Sequence, residues 1–360
     1  MIEEELKLRA LPDLLTMEDG TKVTEITQWE KRRVEIREIL DNFYAGIVPP
    51  LRAKTKGKVL VTDEEAFAGK AVYHHLDIEL DTVGGSFQFC AHMALPKHVS
   101  KPPVFLYISF EPELVTEFSP VEEIIDAGYG FVSFYYQDVA PDTDSRFLNG
   151  VAKLYNRNPF DSWGTISMWA WAASRVMDYL QTLDFIDTER IAVVGHSRLG
   201  KTALWAGACD QRFSMVISND SGGGGAALFR GKVGEKLQNF NHGASKYWFC
   251  GNFLDFAENE EHMPFDQHFL LSLVAPRNLY VCSAALDEWA DPVSEFLGAA
   301  AASEAYEVFG MKGLVTPDQF PKAPTSLHEG QIGYHIRKGT HYLSRYDWNQ
   351  FIEYRNLHRC

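Results

Sequence analysis

The segment RIAVVGHSRLGKTALWAGACD, residues 190–210, constrains the fold of this chain more than any other part of it. Its first half is apolar and rich in Ile and Val, as in a buried strand, and its second half has the composition of a helix. Gly195, His196 and Ser197 stand where the strand turns into the helix. Such a turn exposes the serine hydroxyl beside the free N–H groups of the helix amino terminus, which is the context of a nucleophile elbow. The sequence therefore predicts Ser197 as a nucleophile.

This segment departs from the usual elbow pattern G-x-S-x-G at one position. Leu199 stands where the second glycine belongs, and Gly200 comes one residue late. The same residues are also compatible with a serine that caps an ordinary helix after a strand. The prediction of a nucleophile therefore depends on finding its partners elsewhere in the chain.

The rest of the chain alternates strand-like segments with helical ones. Segments 71–80 and 87–96, joined by DTVGGS, are typical of an antiparallel hairpin. Further strands are predicted at 104–110, 131–136, 190–197, 213–220, 278–287 and 333–339, and helices at 27–45, 120–127, 167–183, 200–209 and 293–309. Continuous apolar strands between helices indicate a parallel sheet covered on both faces. The predicted fold class is α/β: an α/β-hydrolase three-layer sandwich, with a mostly parallel central sheet and an antiparallel amino-terminal hairpin.

Length and composition limit the remaining choices. No repeat, linker or low-complexity tract interrupts the 360 residues, so we predict one domain over 1–360, with 1–60 as a helical extension packed on it. A net charge of −15 disfavours a nucleic-acid partner, because acidic surfaces repel phosphate backbones. No run of about 18 apolar residues is present, so no membrane span is predicted. The expected partner is a small molecule or an oligosaccharide.

Several motifs of other protein classes are missing from the sequence. The amino terminus lacks the features of a secretory signal, so we expect a cytoplasmic protein, or a secreted one if a signal was removed. The five cysteines are spread out and never in C-x-x-C spacing, which is neither a disulfide framework nor a zinc site and suits a reducing compartment. No H-E-x-x-H, phosphate loop or dinucleotide fingerprint occurs. We therefore predict no cofactor and no metal.

Partners for Ser197 follow it in the order serine, acid, histidine that this fold uses. After the strand NLYVCSAA, the segment LDEWADP offers Asp287, with Glu288 and Asp291 as further acids. Near the carboxyl terminus, GYHIRKGTHYLS offers two histidines. His341 follows the last predicted strand, where a general base reaches back over the elbow, whereas His335 lies within the strand and is expected to pack. The sequence therefore predicts His341 as the base.

A second acid competes with Asp287 for the role of supporting this histidine. Asp220 ends the strand FSMVISND and opens the turn SGGGG. A carboxylate there is able to orient an imidazole, or else to bind backbone amides of the glycine turn. Asp287 has the usual position after a strand, so we rank it first and leave Asp220 open.

The motifs GHSRLGK, NDSGGGGAA, DEW and GTH resemble the glucuronoyl esterases, carbohydrate esterase family fifteen, especially their bacterial branch. The resemblance extends over about 20–360 and includes WAWAASRVMDYL and PFDQHFLLSLVAPR. It implies a serine esterase, and its motif positions fall on Ser197, Arg198, Gly200, Lys201, Asp220, Asp287, Trp289 and His341.

The resemblance gives three of these residues expected roles, each with a simpler alternative. The loop that normally supplies an oxyanion donor reads ISFEPEL and has no glycine, so Arg198 is expected to replace that donor. An ion pair with a nearby carboxylate is the alternative for Arg198. Lys201 is expected to bind sugar hydroxyls, or else to cap a carbonyl on an exposed helix. Trp289 is expected to stack on a sugar face, or else to be buried beside a strand end.

Two departures from the family concern the surroundings of the site. Many members have cysteines, joined in a disulfide, at the positions of His196 and Tyr342, so that bridge is absent here. The resemblance implies that a Gln and a Glu that recognise the uronate lie in KVGEKLQNFNHGASKYWFC, but this stretch does not align with the family's pattern, and Glu235 and Gln238 are candidates only. The expected activity is cleavage of 4-O-methyl-glucuronate esters of xylan-derived saccharides through an acyl-enzyme. The alternatives are an acetyl xylan esterase or another carbohydrate deacetylase with the same triad, and a non-catalytic carbohydrate-binding relative, which has no need of all three residues.

Overall fold

Six neighbouring parallel strands form the centre of the fold in the computed structural model, which describes residues 2–49, 54–144 and 147–358. The described part of the chain builds one ten-stranded sheet in the order β1-β2-β3-β5-β4-β6-β7-β8-β10-β9. Its strands are β1 (Lys54–Ala66), β2 (Ala71–Thr82), β3 (Gly85–Pro96), β4 (Val104–Ser109), β5 (Gly130–Tyr135), β6 (Ile191–His196), β7 (Met215–Asn219), β8 (Asn278–Ala284), β9 (Thr325–Leu327) and β10 (Ile332–Arg337). Strands β5, β4, β6, β7, β8 and β10 are parallel to one another, and the outer strands pair antiparallel.

Helices cover both faces of this sheet because its central strands are apolar on both sides; every residue of β4, β6 and β7 is buried. The helices are α1 (Ile2–Leu8), α2 (Ile26–Phe43), α3 (Val121–Asp126), α4 (Tyr136–Val139), α5 (Thr165–Leu180), α6 (Arg198–Cys209), α7 (Gly251–Leu254), α8 (Gln267–Ser272), α9 (Pro292–Ala301), α10 (Ser303–Glu307) and α11 (Arg345–Leu357). One apolar core contains residues of α2, α5, α6, α8 and α9. A second, on the other face, contains residues of α3 and α11. The layers are therefore helix, sheet, helix.

The predicted α/β-hydrolase sandwich with its antiparallel hairpin is confirmed, and every predicted strand has its counterpart in the sheet. Helices α4, α7, α8 and α11 were not predicted, and other details differ as well. Residues 54–60, expected in the helical extension, belong to strand β1. The helix predicted at 293–309 is two helices, α9 and α10. The short edge strand β9 was not predicted.

The buried histidine of α8 makes the stability of the fold depend on pH. His268 is almost fully buried, and burial lowers its pKa to about 4 from 6.5. The unfolded chain takes up a proton here below pH 6.5 and the folded chain does not, so acidification towards pH 4 favours unfolding. From pH 7.5 to pH 5, this group removes about 2 kcal/mol from the free energy of unfolding. Urea unfolding at both pH values measures the change, and we expect His268→Gln to lose about that much less than the wild type. Equal losses in the two proteins would contradict this assignment.

Candidate active site

Ser197 lies on a strained turn between the end of β6 and the start of α6. Its φ of 56° is in the left-handed region, which a residue with a side chain adopts only when its surroundings impose it. The Ser197 N–H donates to the Asn219 carbonyl at 2.9 Å. At Gly195 a Cβ atom would lie 1.8 Å from the Leu199 carbonyl oxygen, so only glycine fits there. This is the geometry of a nucleophile elbow.

The structure explains why the second glycine of the elbow pattern comes one residue late. Leu199 is fully buried in the apolar core, so its position does not need a small residue. A Cβ atom at Gly200, in contrast, would lie 3.0 Å from the Ser221 Cβ atom and 3.2 Å from the Asn219 carbonyl oxygen. The close approach of α6 to the turn after β7 therefore occurs at Gly200.

His341 and Asp287 form a hydrogen-bonded pair on two neighbouring loops. Asp287 follows β8 and His341 follows β10, and His341 Nδ1 lies 2.6 Å from Asp287 Oδ2. The Asp287 side chain is 4% exposed and the His341 side chain 42%, so a buried acid holds a solvent-accessible ring. The other histidine, His335, is buried within β10 and bonded to Asp347 and Tyr280, as a packed residue.

The two other acids of the Asp287 loop have structural surroundings of their own. Asp291 caps helix α9 through the Ser294 N–H and also accepts the Val233 N–H. Glu288 is exposed at the rim of a cleft. Among these acids, Asp287 is the one that contacts His341.

The electrostatics of Asp287 suit a residue that supports a proton-accepting histidine. Burial alone would raise the pKa of the Asp287 carboxyl, but the hydrogen bond and charge of His341 outweigh burial and lower that pKa below its usual value. Asp287 is therefore ionised at neutral pH. An ionised acid at this place fixes the imidazole tautomer and stabilises the imidazolium that forms when a proton is taken up.

His341 lies directly beside the elbow. Its ring packs against that of His196, the residue before Ser197, with 4.5 Å between the ring centroids. Burial, together with the neighbouring His341, lowers the pKa of His196 to about 3, so His196 is a neutral packing partner. Ser197, His341 and Asp287 thus come together at the carboxyl ends of β6, β10 and β8.

Asp220, the competing acid, is buried next to this pair but has other partners. Its Oδ2 atom lies 3.0 Å from Arg337 Nη2 and accepts from the Tyr342 N–H and from Asn219 Nδ2, both at 3.3 Å. Burial and the Glu295 carboxyl raise the pKa of Asp220, against the influence of Arg337. The sequence also allowed Asp220 to bind amides of the glycine turn. Among the described contacts, however, it is Glu295 and not Asp220 that accepts the N–H of Gly222 in this turn.

Arg198 makes the ion pair that was considered as its alternative role, and still has a free donor. Its Nη1 atom contacts Asp142, which Trp248 Nε1 and Tyr136 OH hold at 2.8 and 3.3 Å. The guanidinium lies over the rings of Trp248 and Phe110. Within the described residues, its Nε atom is buried without a hydrogen-bond partner. Because a buried donor without a partner is costly, this N–H is available to a substrate oxygen.

Lys201 is buried rather than on an exposed helix. Its Nζ atom donates to the Ser221 carbonyl at 2.7 Å and to Glu235 Oε2 at 2.8 Å, and it lies over the rings of Phe240 and Trp248. These bonds use two of its three N–H donors. Of the two candidates for uronate recognition, Glu235 is thus bound to Lys201.

Gln238, the second of those candidates, is exposed in a short 3-10 helix, Leu237–Asn241.

Trp289 is 54% exposed, so the alternative of a buried tryptophan does not apply. Its ring lines a cleft of about 1100 Å³ together with other apolar residues, including Leu286 and Phe320. An exposed ring beside the acid loop is suited to stacking on a ligand.

Asp142, Trp248 and Arg337 are parts of the site that the sequence did not reveal. Asp142 and Trp248 hold Arg198, and Arg337 holds Asp220. Asp142 could have been proposed as a site residue from its position shortly after strand β5, because ligand sites of parallel sheets lie at the carboxyl ends of the strands. No local pattern identifies the other two.

Two clusters in the described part of the chain bring possible metal ligands within 4.8 Å of one another. One consists of Asp220, Asp287 and His341, and the other of Cys282, His335 and Asp347. Arg337 binds a carboxylate of each cluster, Asp347 through Nε and Asp220 through Nη2. Separately, none of the described helices is long and apolar enough to cross a membrane.

Known proteins of one family match this chain. The family described as glucuronyl esterase, fungi, matches residues 78–310. The carbohydrate esterase MZ0003 of an unknown prokaryotic organism is 35% identical over 99% of this chain and 91% of its own length. The 4-O-methyl-glucuronoyl methylesterase of Podospora anserina is 29% identical over 83% of this chain, which spans 60% of that relative. The solved glucuronoyl esterase from Solibacter usitatus superposes with a TM-score of 0.88 at 36% identity, over 96% of this chain and 97% of that one.

The fold, with a serine elbow beside a histidine–aspartate pair, defines the class of α/β-hydrolases that cleave carboxylic esters. Within this class, the chain belongs to the glucuronoyl esterase family of carbohydrate esterases. The resemblance stated from the sequence motifs is thereby confirmed.

Proposed function

We propose that this esterase cleaves 4-O-methyl-glucuronate esters of xylan-derived saccharides through an acyl-enzyme on Ser197. The observation that carries the proposal is the Ser197 elbow beside the His341–Asp287 pair. The family and the activity named for the Podospora relative support the choice of ester. Asp287, rather than Asp220, is the acid of this triad.

In the first step, Ser197 Oγ attacks the ester carbonyl while His341 takes the serine proton. The carbonyl–alkoxy bond then breaks, and His341 gives that proton to the leaving alcohol. In the second step, His341 deprotonates a water molecule that attacks the acyl-enzyme, and the proton returns to Ser197 as the glucuronate leaves. Asp287 stays ionised throughout and stabilises each imidazolium.

Arg198 supplies the charge that stabilises the tetrahedral intermediates. Its backbone N–H is in the first turn of α6, where helical N–H groups have no partner inside the helix. Its side chain adds a positive charge and the unpartnered Nε–H. The contact with Asp142 holds the guanidinium in place, since Asp142 is itself bound by Trp248.

Replacing Arg198 by alanine is expected to lower kcat by ~100–1,000-fold, because one oxyanion donor is lost. Steady-state kinetics on a glucuronate ester measure the change. Arg212→Ala is the matched control, since Arg212 is an exposed arginine of similar accessibility paired with Asp210 far from the elbow. A kcat of Arg198→Ala equal to that of the control would contradict the proposed role.

Sugar recognition is assigned to Lys201 and Trp289. Lys201 has one N–H donor beyond its bonds to Ser221 and Glu235, and its buried charge is suited to binding sugar hydroxyls or a carboxyl-derived oxygen. The exposed ring of Trp289 offers an apolar face to a pyranose.

The substrate is tested with benzyl glucuronate and acetylated xylan as parallel substrates, with Ser197→Ala as the control. The proposal expects hydrolysis of the glucuronate ester with a higher kcat/KM than deacetylation. A preference for acetylated xylan would replace the proposed function by that of a deacetylase. If the wild type hydrolysed neither benzyl glucuronate nor acetylated xylan, the substrate assignment would be wrong.

A further inference from the structure

The loop that carries His341, residues 338–342, is held at its backbone by one buried arginine. Arg337 is the last residue of β10, and its side chain is 8% exposed. Its Nη1 atom donates to the Thr340 carbonyl at 3.0 Å and to the Lys338 carbonyl at 3.4 Å, and its Nη2 atom donates to the Tyr342 carbonyl. The bonds to Thr340 and Tyr342 flank His341 on both sides.

The same guanidinium is anchored by two buried carboxylates. Arg337 Nη2 donates to Asp220 Oδ2 at 3.0 Å, and Nε donates to both oxygens of Asp347 at 2.9 and 3.0 Å. An arginine has five N–H donors in a rigid planar fork, and here all five have partners. A lysine has three donors and no such fork, so it is unable to reproduce this set of bonds.

Asp220 and Asn219 complete the attachment of the loop to the end of β7. The Asp220 carboxylate accepts the Tyr342 N–H, and Asn219 Nδ2 donates to the Tyr342 carbonyl at 2.9 Å. The peptide groups around Tyr342 are therefore bound on both their donor and acceptor sides. These contacts fix the backbone from which His341 reaches the elbow, although none of them is made by the His341 ring.

We propose that Arg337, with Asp220 and Asn219, is a positioning residue for the general base: it fixes the 338–342 loop so that His341 stands in line with Ser197. This inference rests on the proposed function, because it takes His341 as the base. The inference gives Asp220 a role other than holding the imidazole of His341. Since a displacement of about 1 Å costs up to ~100-fold in rate, loosening the loop slows every step that uses His341.

The test uses the whole 360-residue chain with Arg337→Lys and a matched control, Arg230→Lys. Arg230 is likewise 8% exposed, paired with the buried Asp266, and bonded to the carbonyls of Glu261, Met263 and Phe265. Active sites are counted by titration with a serine-reactive phosphonate, and kcat and KM for benzyl glucuronate are expressed per titrated site. Titration separates slowed molecules from misfolded ones.

We expect Arg337→Lys to keep its titrated sites and its KM and to lose at least about 10-fold in kcat per site. Arg230→Lys is expected to lose stability with no change in kcat per site. Asn219→Ala, which removes the bond to the Tyr342 carbonyl together with a 2.8 Å contact to His196 Nδ1, is expected to lower kcat in the same direction, which retains the test if Arg337→Lys does not fold. A wild-type kcat per site in both Arg337→Lys and Asn219→Ala, with only the number of sites reduced, would overturn the inference.

His341→Gln distinguishes failure of this inference from failure of the proposed function. An inactive His341→Gln beside a fully active Arg337→Lys would reject the positioning role and leave the triad intact. An active His341→Gln would remove the triad itself, and the positioning role with it.

Discussion

Ser197→Ala is expected to lower kcat by roughly 10⁴- to 10⁶-fold, because the acyl-enzyme has no other nucleophile to form on. KM and the melting temperature are expected to stay near their wild-type values. Alanine has the same Cβ atom as serine, so the substitution adds no strain at the φ of 56°, and the Ser197 N–H bond to Asn219 does not involve the side chain. Steady-state and single-turnover kinetics on benzyl glucuronate measure the loss.

Ser214→Ala is the matched control for this prediction. Ser214 stands just before β7, at the opposite end of the parallel strands, and its hydroxyl donates to the Ile191 carbonyl. This variant is expected to keep the wild-type kcat. If Ser197→Ala retained more than about one hundredth of the wild-type rate, the nucleophile would have to lie elsewhere.

The elbow was predictable because all its determinants are local. The apolar strand, the glycine and the small residues of α6 occur within 21 residues, 190–210, and short-range periodicity is what a single sequence displays best. His341 and Asp287 were also predictable, because in this fold the acid and the histidine follow the serine in the chain and lie in loops after the later strands. The pairing of their side chains is confirmed by the 2.6 Å contact.

Strand β1 was missed for a physical reason. It is an edge strand whose residues are nearly all exposed, and its sequence KTKGKVLVTDEEA is mostly charged or polar. Such a strand shows neither the continuous apolar run of a buried strand nor a regular alternation. Its position is set by pairing with β2, which local propensity does not record.

The contacts that hold the site residues in place could not be predicted from the sequence, because they join segments that are far apart in the chain. Arg198 meets Asp142 across 56 positions, and Arg337 meets Asp220 across 117. One sequence contains no signal for such pairs. The role of Asp220 was left open for the same reason, since its choice between His341 and Arg337 depends on where β10 ends relative to β7.

Asp287→Asn is expected to lower kcat by about 10⁴-fold, and Asp220→Asn by only about 10-fold. An asparagine at 287 presents an amide to His341 Nδ1 and favours the wrong imidazole tautomer, so the ring no longer accepts the Ser197 proton. At 220, the asparagine oxygen still accepts from Arg337 or from the Tyr342 N–H, and the loss is confined to the charge that anchors the guanidinium. Both values are measured as kcat per titrated site on benzyl glucuronate.

Asp291→Asn is the control for this comparison, because Asp291 belongs to the same loop but caps α9 instead of contacting His341. It is expected to lower the melting temperature and keep kcat.

The opposite ranking, with Asp220→Asn nearly inactive and Asp287→Asn active, would make Asp220 the acid of the triad. The 2.6 Å contact of Asp287 with His341, set against the three contacts of the Asp220 carboxylate with Arg337, Tyr342 and Asn219, is the reason to expect the first ranking. The charge of a carboxylate that is paired with a buried arginine is largely offset at the position of a neighbouring imidazolium, whereas the Asp287 carboxylate contacts His341 and, among the described residues, pairs with no arginine or lysine.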